Sequence, residues 1–74
     1  MGRLIRMDRT GHTTIAEWTP EDDATTQRAQ EALAFELERG LIASAALEDG
    51  SAAVVRELPL DAELVTLRRP IVGG

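Results

Sequence analysis

The chain lacks cysteine and lysine altogether, and its aromatic residues are confined to Trp18 and Phe35. Without cysteine there is no disulfide framework, no thiolate nucleophile and no thiolate-bound zinc. Without lysine, all eight basic residues are arginines and the N-terminus is the only amine of these 74 residues. A GC-rich coding bias is the simplest reason for that bias. Long apolar runs are missing too. The opening Met1-Gly2-Arg3-Leu4-Ile5-Arg6 is too short for a signal peptide, and no later stretch could span a membrane. The expectation is a cytoplasmic protein with no membrane partner. Clustered positive charge is also lacking: the formal charge is −5, which argues against nucleic acid and for docking on a basic protein surface.

What is present is enough for one small domain. Apolar residues make up 43% of the chain, but many are alanine, so the core should be modest and its net stability only about 3–5 kcal/mol. Residues 3–8, "RLIRMD", and 12–18, "HTTIAEW", read as two strands around a Thr-Gly turn. Strict alternation would put Thr14, Ala16 and Trp18 on one face and Ile15 on the other. A helix follows. Thr19 is the expected cap, Pro20 the first helical residue, and Glu21, Asp22 and Asp23 complement the positive end of the dipole. The helix should run to Arg39 and stop at Gly40, a left-handed cap. Ala29, Leu33 and Leu37 form its inward stripe, with Ala32 beside them and Phe35 at or beyond the edge.

After Gly40, "LIASAAL" reads as a strand, "EDGS" as a turn with Gly50 at positive φ, and "AAVVREL" as the returning strand, ended by Pro59. "LDAE" is a further turn and "LVTLRR" the last strand before Pro70. The order β-β-α-β-β-β, with one helix across a mixed sheet, is an α+β layer arrangement. The fold it predicts is the β-grasp, the fold of ubiquitin, over residues 1–70, with the first and last strands parallel at the centre. Residues 71–74 would then leave as a tail.

Ordinary active-site chemistry is hard to find. His12 needs partners to act as a base or ligand, and only Asp8 is close in sequence. Local packing in the hairpin is the simpler role. The run 21–23 lacks the spacing of a calcium loop, Ser44 and Ser51 have no motif around them, and no Gly-rich loop precedes a helix. No metal site and no bound cofactor is expected. Trp18 reads as a core anchor.

The chain ends in "LRRPIVGG". Glycines at 73 and 74 have no Cβ, so such an end can thread a narrow channel and bring its carboxylate to another active site. ATP can convert that carboxylate into an acyl-adenylate open to nitrogen or sulfur nucleophiles. Pro70 stiffens the exit, Ile71 and Val72 offer an apolar grip, and Arg68 and Arg69 supply charged contacts. The stretch "LPLDAELVTLRRPIVGG", with Asp61 and Glu63 in a turn, Leu64, Val65 and Leu67 in a strand, then Pro70 to Gly74, resembles the C-terminus of ubiquitin-like sulfur carriers: the thiamine-pathway carrier and the small subunit of molybdopterin synthase. Leu67, Arg68 and Arg69 also look like ubiquitin's own tail. "AALEDGSAAVV" is similar to the carriers' third and fourth strands. The N-terminal hairpin departs from them, and its opening resembles small Gly-Gly proteins of bacterial mobile elements and phages.

The resemblance implies a substrate rather than an enzyme. Gly74, backed by Gly73, would be activated by an E1-like enzyme using ATP, then loaded with sulfur or joined to a target, with that enzyme or a synthase subunit as partner; a lysine-free chain disfavours polymers of itself. The alternative is a small structural or assembly protein, such as a virion component, using the same fold as an interaction module.

Overall fold

The computed structural model describes residues 1–46 and 49–70. Five strands and one helix follow in the order β1 (Gly2–Asp8), β2 (Gly11–Trp18), α1 (Asp23–Glu38), β3 (Ile42–Ala46), β4 (Ala52–Val55) and β5 (Leu64–Arg68). The fold is α+β: a single mixed sheet with one helix. Spatially the strands run β2-β1-β5-β3-β4, so the last strand of the chain lies in the middle. It pairs parallel with β1, Leu4 opposite Val65 and Arg6 opposite Leu67. On its other side it pairs antiparallel with β3, Ala43 opposite Leu67. The expected parallel pairing of the first and last strands at the centre is therefore present.

Alternation along these strands separates two faces. Leu4, Trp18, Ala43, Ala45, Val65 and Leu67 turn inward to meet Ala29 and Leu33 of α1, with Leu41 and Leu58 closing the cluster. Trp18 is 1% exposed, and its indole N–H donates to the Leu60 carbonyl at 3.1 Å. That bond meets the polar requirement of a buried indole, so Trp18 anchors the core as anticipated. Among the described residues, the opposite face of the sheet has no layer on it. Ile5 is buried there, while Met7, Ile42, Val54 and Leu64 are exposed.

Several local expectations need correction. The cap of α1 is Asp22, not Thr19: its carboxylate accepts from the N–H groups of Ala24 and Thr25. Thr19 and Pro20 lie one turn earlier, closed by Asp22 N–H donating to the Thr19 carbonyl at 2.8 Å. Proline's fixed φ suits the second position of such a turn as well as the first of a helix, so the two readings compete for one residue. The other end of α1 behaves as foreseen. Gly40 has φ +94°, and the N–H groups of Leu41 and Gly40 donate to the Glu36 and Leu37 carbonyls, the paired bonds of a Schellman ending.

The hairpin does not alternate strictly. Leu4 faces Ala16 but Ile5 faces Thr14, leaving Ile15 as an extra residue in a bulge. A bulge re-aims side chains, and both Ile15 and Ala16 pack against the core while Thr14 is exposed. The returning strand β4 stops at Val55 rather than at Leu58. Leu58 is buried in the core, so the chain leaves the sheet edge early to place it there. Gly50 has the anticipated positive φ, +88°, and the Ser51 N–H and hydroxyl both donate to Asp49. Leu47 and Glu48 of the expected strand and turn lie outside the described residues.

Candidate functional site

Because β1 and β5 are parallel, their C-terminal ends share one end of the molecule, beside the end of α1. Arginines gather there. Arg6 lies on the inward face of β1 and donates from Nη1 to Glu36 Oε1 at 3.0 Å; Arg39 donates to Glu36 Oε2 at 3.2 Å. Glu36 is only 3% exposed, and burying a carboxylate is tolerable when it is paired and hydrogen-bonded on both oxygens. Arg39 also stands over the Phe35 ring, 5.7 Å from its centroid, a cation–π arrangement. Phe35, 60% exposed, thus lies beyond the edge of the apolar stripe.

The β1–β2 turn completes this end. Asp8 Oδ1 accepts from the Thr10 N–H and hydroxyl, each at 2.8 Å. The Thr10 hydroxyl, then the Thr10 N–H and the nearby Arg6 charge, hold the Asp8 carboxyl below its ordinary value. Asp8 therefore serves its own turn, while His12 sits exposed on β2 opposite Met7. A half-open cleft of about 610 Å³ lies between the turn and the exit of β5, lined by Arg6, Arg9 and Arg69 together with Asp8, Thr10, Met7 and Leu41.

The two arginines expected to act together are separated. Arg68 is on β5 opposite Ile42, on the outer face, whereas Arg69 lines the cleft. Pro70 is exposed. Ile71, Val72, Gly73 and Gly74 lie outside the described residues. Arg6, Arg9 and Glu36 were not anticipated as a group. The parallel pairing of β1 with β5 was the available signal, since it sends Arg6 and Arg9 toward Arg69.

The opposite end is acidic. Trp18 pairs with Gly2, and Arg3 with Leu64, so the end of β2 and the start of β5 meet there. Glu17, Glu21, Asp22, Asp23, Asp61 and Glu63 are all exposed around them. Among the described residues, no His, Asp and Glu side chains converge as a metal-holding group. Likewise, no helix among them is long and apolar enough to cross a membrane. No known protein family, curated protein or solved structure matches this chain.

Proposed function

We propose that this domain is a β-grasp, ubiquitin-like carrier or modifier, working in the cytoplasm, whose Gly74 carboxylate is activated by a partner enzyme. The observation that carries the reading is the position of β5. It is held on both sides, by β1 and by β3, and the chain passes from it directly through Arg69 and Pro70 toward Gly73 and Gly74. A tail rooted in a central strand has a rigid base against which a partner can align its end.

In this reading a Gly74 carboxylate oxygen attacks the α-phosphorus of ATP held by an E1-like enzyme, and pyrophosphate leaves. Hydrosulfide supplied to that enzyme then displaces AMP and leaves a thiocarboxylate; an amine of a target would leave an amide instead. The domain contributes the carboxylate and the docking surface, and the partner contributes the catalysis and the nucleotide. Arg69 and Pro70 at the root, with Arg68, Ile71 and Val72, are the residues a partner would hold.

The test is intact mass after incubation with ATP, a sulfide source and the activating enzymes encoded in the same genome. A gain of about 16 Da, sulfur for oxygen, is expected for the full chain. It should vanish when Gly73 and Gly74 are deleted. An unchanged mass with every such enzyme would remove the carrier reading. The open outer face, with Val54 73% exposed, favours a second reading, an interaction module in an assembly such as a virion. That activity would survive deletion of the two glycines.

A further inference from the structure

Arg9 and Arg69 form no ion pair among the described residues, although both line the same cleft. Glu36 is paired with Arg6 and Arg39, and Asp8, which also lines the cleft, keeps its negative charge while accepting from Thr10. Among the described residues this end of the molecule therefore presents three arginines against one lining carboxylate, Asp8, in a chain whose net charge is −5. Around them, Met7 and Leu41 add apolar walls.

We propose that the cleft of Arg6, Arg9 and Arg69 docks an acidic segment of a partner protein; as a role in the handover of the tail, this rests on the carrier reading above. Guanidinium forks match carboxylates in pairs. Arg9 and Arg69 approach the cleft from different segments, the hairpin turn and the exit of β5, so adjacent carboxylates of one segment can each take a fork. The aliphatic parts of that segment lie along Met7 and Leu41. Arg6 forms the inner wall, where its bond to Glu36 fixes its position. Docking here places the partner beside Pro70, where it must be to receive the tail. The acidic residues near Trp18 lie at the other end and do not oppose it, while Asp8 in the cleft wall sets where along the cleft the carboxylates can sit.

Fluorescence anisotropy of a fluorescein-labelled, Glu-rich peptide titrated with the full chain tests this at roughly 50 mM salt, where charge contacts are weakly screened. The Arg9→Glu/Arg69→Glu variant should bind at least ~tenfold more weakly. An Arg28→Glu/Arg56→Glu variant, with the same net charge and reversals at exposed positions elsewhere, should lose less than ~twofold. Equal loss in both variants would mean general attraction and would overturn the proposal, as would no binding by the unaltered chain. Displacement of the peptide by millimolar inorganic phosphate as effectively as by unlabelled peptide would identify a small-anion site and overturn the acidic segment. Sedimentation showing self-association that the Arg9/Arg69 reversals abolish would assign the cleft to a second copy instead. Deleting Gly73 and Gly74 should leave peptide binding unchanged. The cleft can thus fail while sulfur loading succeeds, or the reverse.

Discussion

The two ends of this small domain are built on different principles. Around Trp18 the closure is by shape: the indole fills the space above Gly2, where any Cβ would overlap the ring, and its one polar atom is satisfied by Leu60. Around Arg69 the closure is by charge. Glu36 is buried between Arg6 and Arg39, and the space beyond them remains an arginine-lined cleft. Dry packing is specific and tolerates little change. Charged groups near solvent can exchange one partner for another at small cost. The first end is a fixed scaffold, and the second is a charged surface open to solvent.

The contrast is broken most severely from the packed end. Gly2→Ala forces the Trp18 ring or the β1–β2 hairpin to move, and overpacking of this kind costs about 1–3 kcal/mol. In a domain this small that is a large share of the whole. Urea unfolding followed by Trp18 fluorescence should show the midpoint fall sharply; an unchanged midpoint would mean that the ring is not held as described.

A smaller loss is expected at the charged end. Glu36→Gln keeps an oxygen acceptor but removes the charge between Arg6 and Arg39. Their side chains are 34% and 52% exposed, so water can take up part of what they lose. We expect about 1–2 kcal/mol, below the penalty for stranding a fully buried charge. A double-mutant cycle with Arg6→Gln isolates the Arg6–Glu36 contribution. A coupling energy near zero would show that the ion pair follows the packing and does not hold it.

The smallest effect comes from two matching turns, one at each end: Asp8 with Thr10, and Asp49 with Ser51. Both carboxyls lie below the ordinary value of 3.8, chiefly through the Thr10 and Ser51 hydroxyls respectively, with backbone N–H groups adding to each. A carboxyl depressed in the folded state binds fewer protons there than in the unfolded chain. Its contribution to stability is complete above 3.8 and disappears as the pH falls through the lower folded value. Ser51→Ala should bring Asp49 back toward the ordinary value in an NMR titration. Thr10→Ala should do so less completely for Asp8, because the Arg6 charge remains. Equal recovery at both sites would show that Arg6 does not influence Asp8.

The elements were largely legible because their signals are local. Gly40 and Gly50 both have positive φ, and the apolar spacing of Ala29 and Leu33 matches the buried side of α1. The misreadings arose where one residue type serves two structures. Pro20 fits a turn or a helix start, and Ile15 fits a regular strand or a bulge. Glu36 was hidden for another reason. Its place in the inward stripe depends on two arginines, one thirty residues away in sequence, and no helical pattern contains that information. The cleft was illegible on the same ground, since Arg6, Arg9 and Arg69 meet only through the β1–β5 pairing.

By itself, then, the sequence determined the α+β order, the helix ending, the Gly50 turn and Trp18 as a core residue. These follow from backbone preference, hydrophobic period and composition, which act over a few residues. Tertiary structure decided which strands are neighbours, how the hairpin bulges, where an acid can be buried, and that Arg68 and Arg69 take different sides of the sheet. Those outcomes depend on distant segments meeting in one register, and the energies that select a register belong to the contacts and not to any single stretch of chain.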